Sequence, residues 1–232
     1  TDEAAGQGDT VTLTLGNVQV SEGASSASVV ATLSKPAGEA FDITLSNDTV
    51  LHFAKGDVTA TGTFAVQGDD VYQDGEQFTL SVTGVGANSF EQLDTSATAT
   101  VAVADTTSPV TAVLSVDSSS VAEGGTLTYT VTLQGPAGLD VSQHDGVTVT
   151  LANGETVTIA AGQVSGQVPV SVADDAYTGG QAAITNSIVA VSEAVGGKTF
   201  ESLHAGTQGT SVTVTDEAAG QGDTVTLTLG NV

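Results

Sequence analysis

Along most of the chain, apolar and polar residues alternate one by one, with Val, Ile, Leu or Phe at every second position and Thr, Ser or Gln between them. A period of two sends successive side chains to opposite faces of an extended strand, and no stretch sustains the 3.6-residue spacing of an amphipathic helix. The alternation predicts strands over residues 10–15, 28–33, 41–46, 58–66, 77–85 and 97–104 in the first half. In the second half it predicts strands over 112–116, 127–133, 146–151, 156–160, 164–172, 183–191 and 211–215. About seven short strands per hundred residues, parted by turn residues, is the spacing of an immunoglobulin-like β-sandwich. The fold expected is all-β, with two tandem sandwiches end to end.

Internal repetition sets the boundaries. Residues 1–18, TDEAAGQGDTVTLTLGNV, recur verbatim as residues 215–232. Near-identical copies are therefore expected to follow one another in a longer protein, of which this sequence is about one period. A second, more diverged duplication lies inside that period. Val20-Ser21-Glu22-Gly23 matches Val121-Ala122-Glu123-Gly124, and Pro36-Ala37-Gly38 matches Pro136-Ala137-Gly138. Asp69-Asp70-Val71-Tyr72 matches Asp174-Asp175-Ala176-Tyr177, and Phe90-Glu91-Gln92-Leu93 matches Phe200-Glu201-Ser202-Leu203. The final strand with its Asp, ending at Asp105, matches the one ending at Asp216. The offsets grow along the chain from about 100 to 111, as loop insertions into one of two copies of a fold would make them. The expected division is 1–7 as the end of a preceding repeat, 8–106 and 107–217 as two sandwich domains, and 218–232 as the start of the next repeat. Pro109, which lacks an amide hydrogen, marks the joint between the halves, and 216–223 forms a second, more flexible joint.

Charge narrows the function. There are 27 Asp and Glu against 3 Lys and Arg, a net charge of −24. Such a surface repels polyphosphate, so nucleic acid is excluded as a partner, and so is an anionic membrane surface. No apolar run reaches the length of a membrane span, so direct membrane insertion is not expected. The chain has no Cys, which removes disulfides and thiolate metal sites and leaves hard, oxygen-seeking cations. Aromatic residues make up only 4%, too few for the stacking platforms of sugar- or base-binding surfaces.

Four acidic elements recur at matching places: a Glu-Gly after the first strand, an Asp-Asp pair ending a mid-domain strand, acids beyond that pair, and an Asp closing the last strand. Strand ends gather at the poles of a sandwich. The first half thus offers Glu22, Asp69, Asp70, Asp74, Glu76 and Asp105. The second offers Glu123, Asp174, Asp175 and Asp216, with Glu217 beside them. Calcium takes about six to eight oxygens at roughly 2.3–2.6 Å in tolerant geometry, which suits carboxylates joined by backbone carbonyls better than the tight octahedron of magnesium. Where the first half has Asp74 and Glu76, the second has Gly179 and Gln181. The first pole is therefore expected to bind calcium more tightly.

These residues resemble a known pattern. The VSEG segment, the Asp-Asp strand end with its acidic continuation, and the closing strand with its terminal Asp look like Calx-β and related calcium-dependent sandwich repeats. The Cys-free, acidic, Thr/Val/Gly-rich tandem copies resemble the extender region of giant RTX-type bacterial biofilm adhesins. The resemblance implies several calcium ions at domain poles and linkers, and an extracellular location on a bacterial cell surface. It also implies a monomeric spacer whose partners are neighbouring repeats of its own chain, projecting a ligand-binding tip. The glycine-rich nonapeptide repeat of such proteins is absent from this sequence.

Competing readings are weaker. Acidic loop residues are ordinarily solvated surface, but paired recurrence argues otherwise here. Asp9, Asp48, Asp57, Asp117, Asp140 and Asp145 are read as surface or turn caps, and His52, His144 and His204 as incidental surface or turn residues with no zinc spacing. Asn47-Asp48-Thr49 fits a glycosylation sequon by pattern alone. An enzyme is not expected: adjacent Asp residues on a strand point to opposite faces, which argues against a shared acid and nucleophile. The stronger alternative is a ligand-binding module for carbohydrate or protein in a surface adhesin.

Overall fold

The computed structural model describes residues 10–217 and 224–230; the expected end segment 1–7, Asp9 and residues 218–223 of the second joint lie outside the described residues. The described residues contain strands and turns and no helix. They form two compact units, and each holds its own apolar core.

The first unit comprises residues 10–70 and 74–106. Its strands are β1 (Thr10–Leu15), β2 (Val18–Ser21), β3 (Ala27–Leu33), β4 (Phe41–Leu45), β5 (Val50–Phe53), β6 (Thr59–Phe64), β7 (Glu76–Val85), β8 (Gln92–Asp94) and β9 (Thr98–Ala104). They make a four-stranded sheet, β6-β3-β1-β8, and a five-stranded sheet, β2-β9-β7-β4-β5. The alternation in β3 is strict, with Ala27, Val29, Ala31 and Leu33 buried and the residues between them exposed. Leu13, Val29, Ile43, Leu51, Phe53, Leu80 and Val101 are drawn from both sheets into one cluster, as in a two-layer sandwich. Burying each side chain of this size contributes roughly 1.5–3 kcal/mol. The first extended segment changes sheets between Leu15 and Val18, so that β1 runs parallel to β8 and β2 parallel to β9.

Among the described residues, the second unit comprises Val71–Gln73, 107–217 and 224–230. Its strands are β10 (Pro109–Val116), β11 (Ser120–Ala122), β12 (Thr126–Gln134), β13 (Gly146–Leu151), β14 (Thr156–Ala160), β15 (Ser165–Ser171), β16 (Ile184–Asn186), β17 (Ile188–Glu193), β18 (Ser202–Ala205) and β19 (Thr210–Thr215). The sheets are β15-β12-β10-β18, β11-β19-β16 and β14-β13-β17. The parallel pairs recur as β10 with β18 and β11 with β19. Even the register irregularity recurs, between Thr44 and Leu45 in β4 and between Thr150 and Leu151 in β13. Pro169 sits in β15, at the edge of its sheet, where a missing donor costs least.

Two expectations need correction. About seven strands per domain is too few: β2, β5, β8, β11 and β18 are pieces of three or four residues, too short for alternation to reveal. The single strand expected over 183–191 is two, β16 and β17, parted at Ser187. The buried Asn186 side chain accepts hydrogen bonds from the amides of Asn153 (3.3 Å) and Ser187 (3.0 Å), so local bonding displaces the ladder at that point.

Candidate metal centre

At one pole of the first unit, the parallel pair of β2 and β9 continues one bond further, with the Glu22 amide donating to the Ala104 carbonyl at 3.0 Å. This turns the Glu22 side chain inward, where only 3% of the residue is exposed. Gly23 makes the turn possible in two ways. Its φ is +70°, and a Cβ there would lie 2.8 Å from the Cβ of Asp69, inside van der Waals contact. The Gly23 amide donates to the Gln67 carbonyl at 2.8 Å, which draws the Asp-Asp strand end against the Glu-Gly turn.

The result is a carboxylate cluster. One oxygen each of Glu22, Asp70 and Asp74 lies within 4.8 Å of the others, close enough for all three to reach one ion. Glu22 Oε1 accepts the Thr106 amide at 3.1 Å, whereas Glu22 Oε2 is buried with no hydrogen-bond partner among the described residues. Asp69 Oδ1 accepts the Thr106 hydroxyl at 2.6 Å and Asp74 Oδ1 accepts Gln67 Nε2 at 2.5 Å. Asp105 is half-buried, with its Oδ1 also lacking a hydrogen-bond partner among the described residues. Gly75 keeps clear for it, since a Cβ there would fall 2.9 Å from that oxygen. Glu76 begins β7 on the exposed side and stands outside the three-residue cluster. A buried carboxylate oxygen with neither donor nor cation carries a large desolvation cost, so the residues present fit a divalent cation.

The second unit repeats the frame with a different outcome. Glu123 is 3% exposed, its amide donates to the Thr215 carbonyl at 3.0 Å, and Gly124 has φ +67°. Glu123 Oε1 is again buried without a partner among the described residues, and Oε2 accepts the Asp175 amide at 3.2 Å. Two of the remaining carboxylates accept hydrogen bonds from nearby amides. Asp175 Oδ1 accepts the Tyr177 amide at 2.9 Å and Asp216 Oδ2 accepts the Gly179 amide at 3.0 Å. Asp174 is exposed, and Glu217 Oε2 lies near Gly124. Among the described residues, these acids do not gather three oxygens the way Glu22, Asp70 and Asp74 do.

Of the acids expected to be surface or turn caps, Asp57 and Asp140 accept the nearby amides of Ala54 and Ser142, Asp117 and Asp145 accept the more distant amides of Thr128 and Lys198, and Asp48 is a turn residue with φ +64°. The Ser142 hydroxyl holds the Asp140 carboxyl below its ordinary range, and the Ser96 amide does the same for Asp94. His52 and His204 are exposed. His144, expected to be a surface or turn residue, lies in a bend but is buried: it is 2% exposed, Nδ1 accepts the Gly146 amide at 3.0 Å, and Nε2 donates to the Gln163 carbonyl at 2.8 Å. A polar residue in a loop insertion gives no alternation signal by which such burial could be foreseen.

Fold and site together define a tandem β-sandwich protein of the immunoglobulin-like class. The chain belongs to the LapA domain family, a family of biofilm adhesins, which matches it twice, over residues 9–106 and 109–217. No curated protein sequence matches it. Similar solved structures include CBD12 from CALX1.2, at 12% identity over 79% of this chain and 82% of that one, with a TM-score of 0.34. The Yersinia pseudotuberculosis adhesin InvE is 19% identical over 88% of this chain and 58% of that one, with a TM-score of 0.31. The Escherichia coli adhesin FdeC is 16% identical over 89% and 64%, also with a TM-score of 0.31.

Proposed function

We propose that this surface-adhesin module is a calcium-stabilised spacer: an extracellular, non-enzymatic extender in a bacterial adhesin of the RTX type. Calcium at the domain poles and linkers stiffens the string of repeats, which carries a ligand-binding tip away from the cell for adhesion and biofilm formation. The observation that carries the reading is Glu22, 3% exposed, with one oxygen lacking a donor and two further carboxylates within reach of a shared ion. Glu123 supports it as an independent second instance of the same buried, half-partnered carboxylate. Neighbouring repeats of the same chain are the partners in this reading.

Extracellular modules hold calcium at about 10⁻⁴–10⁻³ M, so the chain would be unloaded in a cytosol and loaded outside. An ion that binds only the folded form stabilises it by about 2.7 kcal/mol at a hundred times Kd, and suits export of an unfolded chain. Thermal unfolding with and without calcium tests this on the whole chain. Glu22→Gln is expected to remove most of the calcium-dependent gain of the first unit and to raise its stability in chelator by about 1 kcal/mol, since a buried charge is gone. Glu123→Gln should forfeit a smaller gain. A full calcium response in the Glu22→Gln variant would refute the assignment.

A further inference from the structure

Two tyrosines at matching positions of the internal duplication have opposite surroundings. Tyr72 follows Asp69-Asp70-Val71 and is 1% exposed, whereas Tyr177 follows Asp174-Asp175-Ala176 and is 79% exposed. Tyr72 owes its burial to the unit it belongs to. Val71–Gln73, carried on the loop between β6 and β7, fold into the second unit. The Tyr72 ring stacks on Phe200 at 5.1 Å, Lys198 Nζ stands 5.2 Å from its centre, and its hydroxyl accepts the Gln143 amide at 2.8 Å. The backbone joins in as a short antiparallel bridge, with the Gln73 amide donating to the Thr199 carbonyl and the Glu201 amide to the Val71 carbonyl, both at 2.9 Å.

The first unit carries the receiving half of that arrangement with nothing in it. Phe90-Glu91 corresponds to Phe200-Glu201, and Ser89 to Thr199. Phe90 is only half-buried, against 1% exposure for Phe200. Among the described residues, neither the Glu91 amide nor the Ser89 carbonyl has a backbone partner. The presenting half is likewise ready in the second unit, where the Asp175 carboxylate accepts the Tyr177 amide at 2.9 Å and fixes the turn that shows the ring to solvent.

We infer that Ala176-Tyr177-Thr178 is a docking segment for a second copy of the first-unit fold, the one that the verbatim recurrence of residues 1–18 at 215–232 begins. Tyr177 would lie on Phe90 of that copy while the flanking backbone bridges its residues 89–91. One difference is built in. Gln143 and His144 belong to a loop insertion between Gly138 and Val147 that the first unit lacks between Gly38 and Phe41, and Phe41 packs edge-on against Phe90 at 5.8 Å. The Tyr177 contact is therefore ring against ring, without the hydroxyl bond that Tyr72 makes, and is the weaker of the two. The inference rests on the tandem-array reading and not on calcium.

Tyrosine nitration by tetranitromethane, mapped by mass spectrometry, tests it in two proteins at fixed calcium. One is the 232-residue chain. The other repeats residues 19–106 after Val232, with Tyr72→Phe in the added copy to keep the peptides distinct. In the shorter chain Tyr177 should react first, with Tyr72 and Tyr129 protected; in the longer one Tyr177 should react about tenfold more slowly, while Tyr129 stays protected as the sign of a folded second unit. Tyr177→Ala should lower the melting temperature of the longer chain and leave that of the shorter one unchanged. Equal nitration of Tyr177 in the two chains, or an equal effect of the substitution on both, would overturn the inference and leave the calcium account standing.

Discussion

Glu22 and Glu123 each sit one step past the end of a short parallel pair, buried to 3% exposure by the backbone bond that extends that pair. Their placement was legible because a Glu-Gly dipeptide recurred at equivalent points, and the glycine's role is physical: φ near +70° at both Gly23 and Gly124 strains any residue with a Cβ. The two differ in crowding. A Cβ at Gly23 would meet Asp69 at 2.8 Å, whereas at Gly124 the nearest atom is 3.8 Å away. Gly23→Ala is expected to cost about 2 kcal/mol or more and Gly124→Ala about 1 kcal/mol, measured by urea denaturation. Equal costs would mean that the Asp69 approach does not constrain the turn. What the sequence did not disclose is how each acid spends its oxygens. Asp175 and Asp216 turn to nearby amides because their loop supplies donors, and no spacing rule announces that.

At the scale of elements, alternation located the long strands and missed those of three or four residues, whose pairing is decided by neighbours. The clearest lesson is in one hexapeptide. TVTLTL at Thr10–Leu15 is β1, with Val11 and Leu13 buried between β3 and β8; the same six residues at 224–229 form no strand, and Val225 and Leu227 are 79% and 84% exposed. Propensity permits the strand, and tertiary partners make it. The Val71–Gln73 segment was equally invisible, because three loop residues carry no period. Its weight in the second unit is measurable: Tyr72→Ala removes the stacked ring on Phe200 and should destabilise that unit by about 3 kcal/mol in a denaturant titration, with the first unit unaffected. A second unit that unfolds unchanged would show that the segment contributes nothing to it.

For the whole molecule, the decisive quantity is a net charge of −24 on 232 residues. Exposed like charges repel over about 8 Å at physiological ionic strength, and monovalent salt relieves that repulsion without placing charge inside a pole. In the proposed reading, calcium would act where salt does not, at buried carboxylates such as Glu22. The account therefore separates the two: chelation in constant salt should loosen the chain, and added monovalent salt should not restore it. Small-angle X-ray scattering of the 232-residue chain in calcium and in chelator, at equal ionic strength, reads this directly. The spacer account predicts a longer, narrowly distributed particle in calcium and a broadened distance distribution on chelation. Superimposable profiles in the two conditions would contradict it.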